Sequence, residues 1–167
     1  MSGPDNNRVY LPNSRTCFVC GEENHAGLQL RFFVEDGKVK ALFQPKPHHC
    51  GYANVLHGGL VAALLDETMA WAANRALARM TVTAELKLRY RKPVPGNRPT
   101  LVWAEITKSN RRIAYGNSAI VDDTGEEYAS AEGSFIPLSV EETLVIDDHL
   151  VYRGGEERVF DALRNGP

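Results

Sequence analysis

No stretch of this chain approaches the roughly 18 consecutive apolar residues that a membrane-spanning helix needs. The N-terminal MSGPDNNRVYLPNSR has no apolar centre of the kind that marks a secretion signal. Cysteine is scarce, with three in 167 residues. An odd count without a secretion signal argues against a disulfide framework, so Cys17, Cys20 and Cys50 are expected to be reduced. An excess of charge of either sign is also missing. The 19 basic and 21 acidic residues leave a net charge of -2, and the basic ones are scattered rather than gathered into the stripe of a nucleic-acid binder. There is no repeat of fixed period and no low-complexity block, which excludes a solenoid or an array. What remains is a cytoplasmic, soluble protein with neither nucleic acid nor membrane as partner. At this length one domain can bury a core without disulfides or metal.

Residues 1–16, rich in Pro, Asn, Ser and Gly, are expected to form an irregular leader. In LQLRFFVEDGKVKALFQ (28–44) two alternating runs flank Asp36-Gly37, which supplies the positive φ of a tight hairpin turn and predicts two antiparallel strands. PKPHHCGYAN (45–54) is broken by prolines and glycine and is expected to be a loop. From His57 to Arg79 there is no proline, and Leu60, Val61, Leu64, Leu65, Met69 and Ala72 follow helical spacing, so one long, largely buried helix is expected. TVTAELKLRY then alternates like a strand with one face wet or lining a site. Further strands are expected near 100–109, 112–122 and 128–137, the last two joined by DDTGEE. Strand, strand, long helix and four strands describe an α+β architecture, a mostly antiparallel sheet wrapped around one central helix over residues 17–137. Residues 138–167 form a C-terminal extension, acidic and then weakly helical near 156–164.

The stretch NVLHGGLVAALLDETMAW (54–71) carries the chemistry. A helix N-terminus exposes unpaired N–H groups and the positive end of the helix dipole. Gly58 and Gly59 have no side chains, so a carbonyl can approach their backbone, as in an oxyanion hole. Asp66 is the natural nucleophile or general base, both roles requiring an ionised carboxylate. Nine residues of α-helix separate it from His57, about 13.5 Å of rise and about 900° of rotation, so the two lie on opposite faces. One helix cannot bring both to one carbonyl, whereas a two-fold pair of antiparallel helices can.

The order of elements, HGG opening the helix, LLDE within it, CFVCGEENHAGLQLRF (17–32) before the first strand and YRKPVPG (90–96) after the third together resemble the hotdog-fold acyl-CoA thioesterases. Their phenylacetate-pathway branch is the most similar. The resemblance implies hydrolysis of a thioester to a free acid and CoA without a cofactor. It further implies a homodimer with sheets joined edge to edge, often paired again into a homotetramer, and sites at the dimer interface. By resemblance, Asp66 matches the catalytic acid, Gly59 or Gly58 the backbone donor, and His57 the residue that orients that end. Thr83 falls where some members assist the attacking water. Asn54, at a different spacing, is the candidate for a side-chain amide found before the helix in several members.

Other features invite rival readings. Arg89, Arg91, Lys92 and Arg111, with Arg112, could contact the phosphates of CoA, or could be solvated strand ends. Tyr52, Met69 and Trp71 could line an acyl pocket, although aromatics at helical spacing more often build a core. Glu67 points about 100° away from Asp66 around the helix and is assigned a structural role. Cys17 and Cys20 form half of a zinc knuckle, which His25, His48, His49 or Cys50 would have to complete. Without a second regular ligand pair no metal is assigned, and the two cysteines are expected to pack as small apolar residues. Cys50 beside His48 and His49 lacks the geometry of a nucleophile. Two other classes therefore stand beside the hydrolase, namely a non-catalytic acyl-CoA binding module and a zinc-stabilised interaction domain.

Overall fold

The computed structural model describes residues 7–166. Strands β1 (Val9–Tyr10), β2 (Asn13–Ser14), β3 (Phe33–Glu35) and β4 (Lys38–Phe43) precede a 3-10 turn at Pro47–His49, and β5 (Cys50–Tyr52) and β6 (Val55–Leu56) follow it. Helix α1 (Gly58–Leu77) comes next, then the long strands β7 (Thr81–Tyr90), β8 (Thr100–Asn110), β9 (Ile113–Val121) and β10 (Glu127–Pro137). The chain closes with α2 (Val140–Asp147), β11 (Leu150–Val151) and α3 (Asp161–Arg164). Seven strands form one antiparallel sheet in the order β1-β3-β4-β8-β9-β10-β7. Helix α1 lies in its concavity, which is the α+β hotdog arrangement expected from the sequence.

Local chemistry explains the elements. Asp36 and Gly37 both have positive φ, 53° and 75°, the backbone of a two-residue primed turn that sets β3 against β4. Val61, Leu64, Leu65, Thr68, Met69, Trp71, Ala72, Ala73 and Asn74 are the buried positions of α1. Met69 and Trp71 are thus core residues and not the walls of a pocket. On the sheet side, Gly116 and Gly133 are paired across β9 and β10. A Cβ added at Gly133 would lie 3.3 Å from the Met69 methyl, and one at Gly116 3.6 Å from its Cγ. This glycine pair makes a saddle in which Met69 seats and lets the helix approach closely. Ser118 adds a hydrogen bond to the Leu65 carbonyl at 3.2 Å. Each fully buried Leu or Phe in such a core contributes about 1.5–3 kcal/mol.

Two expectations are corrected. Residues 1–6 of the leader lie outside the described residues, but 7–16 are not irregular. Val9–Tyr10 pairs with β3, and Asn13–Ser14 pairs with β11. Pro45–Asn54 is likewise not entirely loop, because β5 and β6 make a small hairpin there. The C-terminal extension, unplaced by sequence, packs on the core. Ser139 and Glu142 cap α2 reciprocally, Phe160 is fully buried, and Glu157 accepts two bonds from Arg75 at 2.7 and 3.1 Å. The helix expected near 156–164 is only the single turn of α3. Among the described residues no helix is long and apolar enough to cross a membrane.

Candidate active site

His57 is the N-cap of α1, and its Nδ1 accepts the Gly59 N–H at 3.0 Å. The glycine at 59 has a steric reason, since a Cβ there would lie 3.1–3.2 Å from the imidazole. This cap engages one of the two backbone N–H groups foreseen as donors at the helix start. The Gly59 N–H is already engaged, whereas the Gly58 N–H has no acceptor among the described residues. Gly58 is also held from the sheet, because Tyr90 at the end of β7 donates its hydroxyl to the Gly58 carbonyl at 2.8 Å. Sequence reasoning gave Tyr90 no role although it opens the YRKPVPG motif, since its partner lies 32 positions away.

Gly58 borders a pocket of about 670 Å³ whose lining also includes Tyr52, Val55, His57, Val61, Tyr90 and Val94. Arg91 and Lys92 stand at its rim, paired with Glu127 at 2.5 Å and with Glu126 respectively. Tyr52 is 81% exposed and Tyr90 55%, so one wall of this pocket is open. Not every sequence candidate meets here. Arg89 lines a separate groove on the outer face of the sheet, with Lys87 and Trp103, and Arg111 lies in the turn between β8 and β9. Asn54 has φ 61° in the β5–β6 turn and borders the next groove, beside Gly96 and Asn97. Its place answers to a left-handed turn position, which Asn tolerates.

Two turns along α1 stands Asp66. Its Oδ1 accepts the Thr83 hydroxyl of β7 at 2.8 Å. Burial raises the pKa of the carboxyl above the ordinary aspartate value, and the Thr83 bond opposes that rise. Asp66 is eight residues from Gly58, about 12 Å of helix. Within one chain the carboxylate and the free N–H therefore face different spaces, Asp66 beside one end of β7 and Gly58 beside the other. Strand β7 is ten residues long and is the last in the sheet. Its outer edge pairs with no strand among the described residues, and Val82 on it is 50% exposed.

Glu67 turns to the opposite side, where Cys17 and Cys20 donate to its Oε1 at 3.6 and 3.7 Å. Burial pushes its carboxyl up to about 8. His49, foreseen as a possible metal ligand, is buried against Phe43, and its Nδ1 accepts the Lys46 N–H at 3.1 Å. Burial lowers its pKa. Neither His49 nor Cys50 joins the two cysteines.

A single long helix, opened by a histidine cap and wrapped by an antiparallel sheet, with an acid two turns in, defines the hotdog class. The sequence pattern of the thioesterase superfamily matches residues 53–129. Over those residues, from β6 into β10, the chain is similar to that superfamily. Bovine acyl-coenzyme A thioesterase THEM4 is 26% identical over 129 residues, 75% of this chain and 53% of that protein. The solved thioesterase superfamily protein RHA08564 superposes with a TM-score of 0.67 at 27% identity, covering 73% of this chain and 63% of that one. The BH2602 protein of Bacillus halodurans, solved with CoA, gives 0.54 at 31% identity over 59% and 70%. The chain spans between 45% and 66% of the length of the curated relatives it matches.

Proposed function

We propose that the protein is an acyl-CoA thioesterase whose site is shared between two subunits. The observation that carries this is the separation of its two halves along β7. Thr83 and Asp66 stand at one end of that strand, and Tyr90 and the free Gly58 N–H at the other. An antiparallel pairing of two β7 edges, centred on Lys87 opposite its own copy and with Ala84 as the extra residue of the bulge in β7, sets Thr83 opposite the partner's Tyr90. Asp66 then faces the partner's Gly58, twice over by symmetry. Pairing would also cover an edge that is long and exposed for a lone chain.

In the shared site the thioester carbonyl accepts the Gly58 N–H at the positive end of the helix, where charge on the tetrahedral oxygen is stabilised. Asp66 of the other subunit, held by Thr83, attacks the carbonyl carbon or takes a proton from the attacking water. The carbon–sulfur bond then breaks and CoA leaves as thiolate; where Asp66 itself attacks, water next cleaves the acyl–aspartyl anhydride, which releases the free acid and restores the carboxylate. Arg91 and Lys92 at the pocket rim suit the phosphates of CoA. The CoA bound to the BH2602 protein and the activity in the name of THEM4 support the same substrate class.

Assay of aromatic, short-chain and medium-chain acyl-CoA thioesters with a thiol reagent tests the proposal. Turnover is expected, and Asp66→Asn should remove most of it with the fold intact. Binding of CoA thioesters without thiol release would establish a binding module instead. Single-turnover hydrolysis in heavy-oxygen water separates the two roles of Asp66, because only direct attack leaves the label in its carboxylate.

A further inference from the structure

The segment after β2 carries a second constellation that thioester hydrolysis does not use. Cys17 and Cys20 flank a tight backbone turn in which the Gly21 N–H bonds to the Cys17 carbonyl at 2.9 Å. A Cβ at Gly21 would fall 2.4 Å from that carbonyl oxygen, so the turn requires the glycine. Backbone N–H groups are aimed at both sulfurs, from Val19 to Cys17 Sγ at 3.3 Å and from Ser14 to Cys20 Sγ at 3.5 Å. Donors directed at sulfur stabilise the charge that a ligating thiolate carries. Opposite them, α1 delivers Glu67, and its Oε1 lies 3.6 and 3.7 Å from the two sulfurs. The three ligand atoms all fall within 4.8 Å of one another.

We infer that Cys17, Cys20 and Glu67 form a binding site for one thiophilic divalent cation, zinc by its chemistry. The dimensions fit. With zinc–sulfur bonds of about 2.3 Å and a zinc–oxygen bond of about 2.1 Å, a tetrahedral site has a sulfur–oxygen edge of roughly 3.6 Å. Both observed edges match it before any side chain moves. The charges fit as well. Glu67 makes no ion pair with Lys, Arg or His among the described residues, and a carboxylate out of water without a cation is costly. A divalent ion on two thiolates and one carboxylate leaves a single net negative charge. Two sulfurs with one carboxylate favour a borderline-soft ion over magnesium or calcium. Cys20 is fully buried and Cys17 is half-buried, so the ion would be anchored from inside, with a fourth position free for water. The ion would tie the N-terminal segment to the central helix at the residue beside Asp66. This inference does not depend on the thioesterase activity.

Cobalt(II) is the probe. Cys50→Ser protein, reduced and stripped with a chelator, is titrated under anaerobic conditions. The near-ultraviolet thiolate-to-cobalt band should rise and saturate at one cobalt per chain, then bleach on addition of an equal amount of zinc. Cys20→Ser should abolish the saturable band. Glu67→Gln, its fold checked by circular dichroism, should keep a thiolate band but weaken cobalt binding at least tenfold. Failure of the reduced Cys50→Ser protein to take up cobalt would overturn the inference without recourse to any ligand variant. So would binding of unchanged affinity in Glu67→Gln. A Cys17–Cys20 disulfide in the isolated protein that takes up no cobalt once reduced would mean a redox pair, and would equally overturn it.

Discussion

Thr83 donates its hydroxyl to Asp66 at 2.8 Å and so joins the middle of the helix to the open edge of the sheet. The bond holds one carboxylate oxygen in place and favours the ionised form. Asp66→Asn should lower kcat by at least about 100-fold, since positioned bases and nucleophiles contribute on that scale. The pKa of Asp66 is raised by burial, so activity should fall with decreasing pH at a value above the ordinary aspartate range. Thr83→Val removes the opposing bond, and the acid limb of kcat/KM should move to still higher pH. A pH–rate profile of the two proteins checks the direction, and a shift downward would contradict it.

Gly59 and Gly58 should respond differently to a methyl group. Gly59→Ala presses on the His57 ring and should loosen the helix cap, at about 1 kcal/mol, the usual worth of an N-cap. Gly58→Ala meets the Tyr90 ring at an ordinary 3.7 Å and should leave the melting temperature nearly unchanged. Its methyl still crowds the approach of a carbonyl, so kcat/KM should drop while thermal unfolding does not.

If the site is shared, two dead variants should rescue each other. Asp66→Asn and Gly58→Val each spoil both sites of a homodimer, but a mixed dimer retains one site with a normal Asp66 and a normal helix start. Random mixing makes half the dimers mixed, so co-expression should restore about a quarter of wild-type activity. Activity no higher than that of the separate variants would refute composite sites.

Val82→Arg tests the register. In the proposed pairing position 82 lies opposite the partner's Arg91, so the substitution sets two like charges across the new strand pair. Sedimentation should report a monomer, and thioester hydrolysis should be lost with it. A dimer of undiminished activity would exclude this pairing.

Asp122, in the turn between β9 and β10, governs acid stability. Its Oδ1 accepts the Thr124 hydroxyl and the N–H groups of Thr124 and Glu126, and its Oδ2 accepts the Tyr128 hydroxyl. The Thr124 hydroxyl bond foremost, with the others, lowers its pKa to about 2. Because the folded value lies below the unfolded one, this stabilisation is complete above about pH 4 and disappears as the pH falls toward 2. Asp122→Ala should therefore melt lower than wild type at neutral pH, and the difference should shrink across that window.

The long elements were legible because periodicity marks them. Helix α1 starts and ends within two residues of the expected span, and β8, β9 and β10 within one; β7 departs from simple alternation, because the bulge at Ala84 turns Thr83 toward α1 on the same side as Tyr90. The short strands β1, β2 and β11 have two residues each, too few for any period, and owe their existence to distant partners. The helix α2 had a usable signal in Ser139-Val-Glu-Glu142, a capping box that was overlooked. Site geometry was half visible. Spacing along α1 separated Asp66 from the glycines, but it could not show that His57 occupies the Gly59 N–H. Nor could it bring Tyr90 to Gly58 or Cys17 to Glu67, contacts that exist only once the sheet has closed.

The pairing of Ser14 with Leu150 and of Asn13 with Val151 also bears on the order of events during synthesis. These partners stand more than 130 positions apart, so while the ribosome makes the chain, β2 has no strand to pair with until β11 has emerged. The β3–β4 hairpin and the helix-bearing sheet can form earlier. The segment leading to Cys17 and Cys20 should be among the last parts to lock, and a stalled or shortened chain should leave it open to proteases.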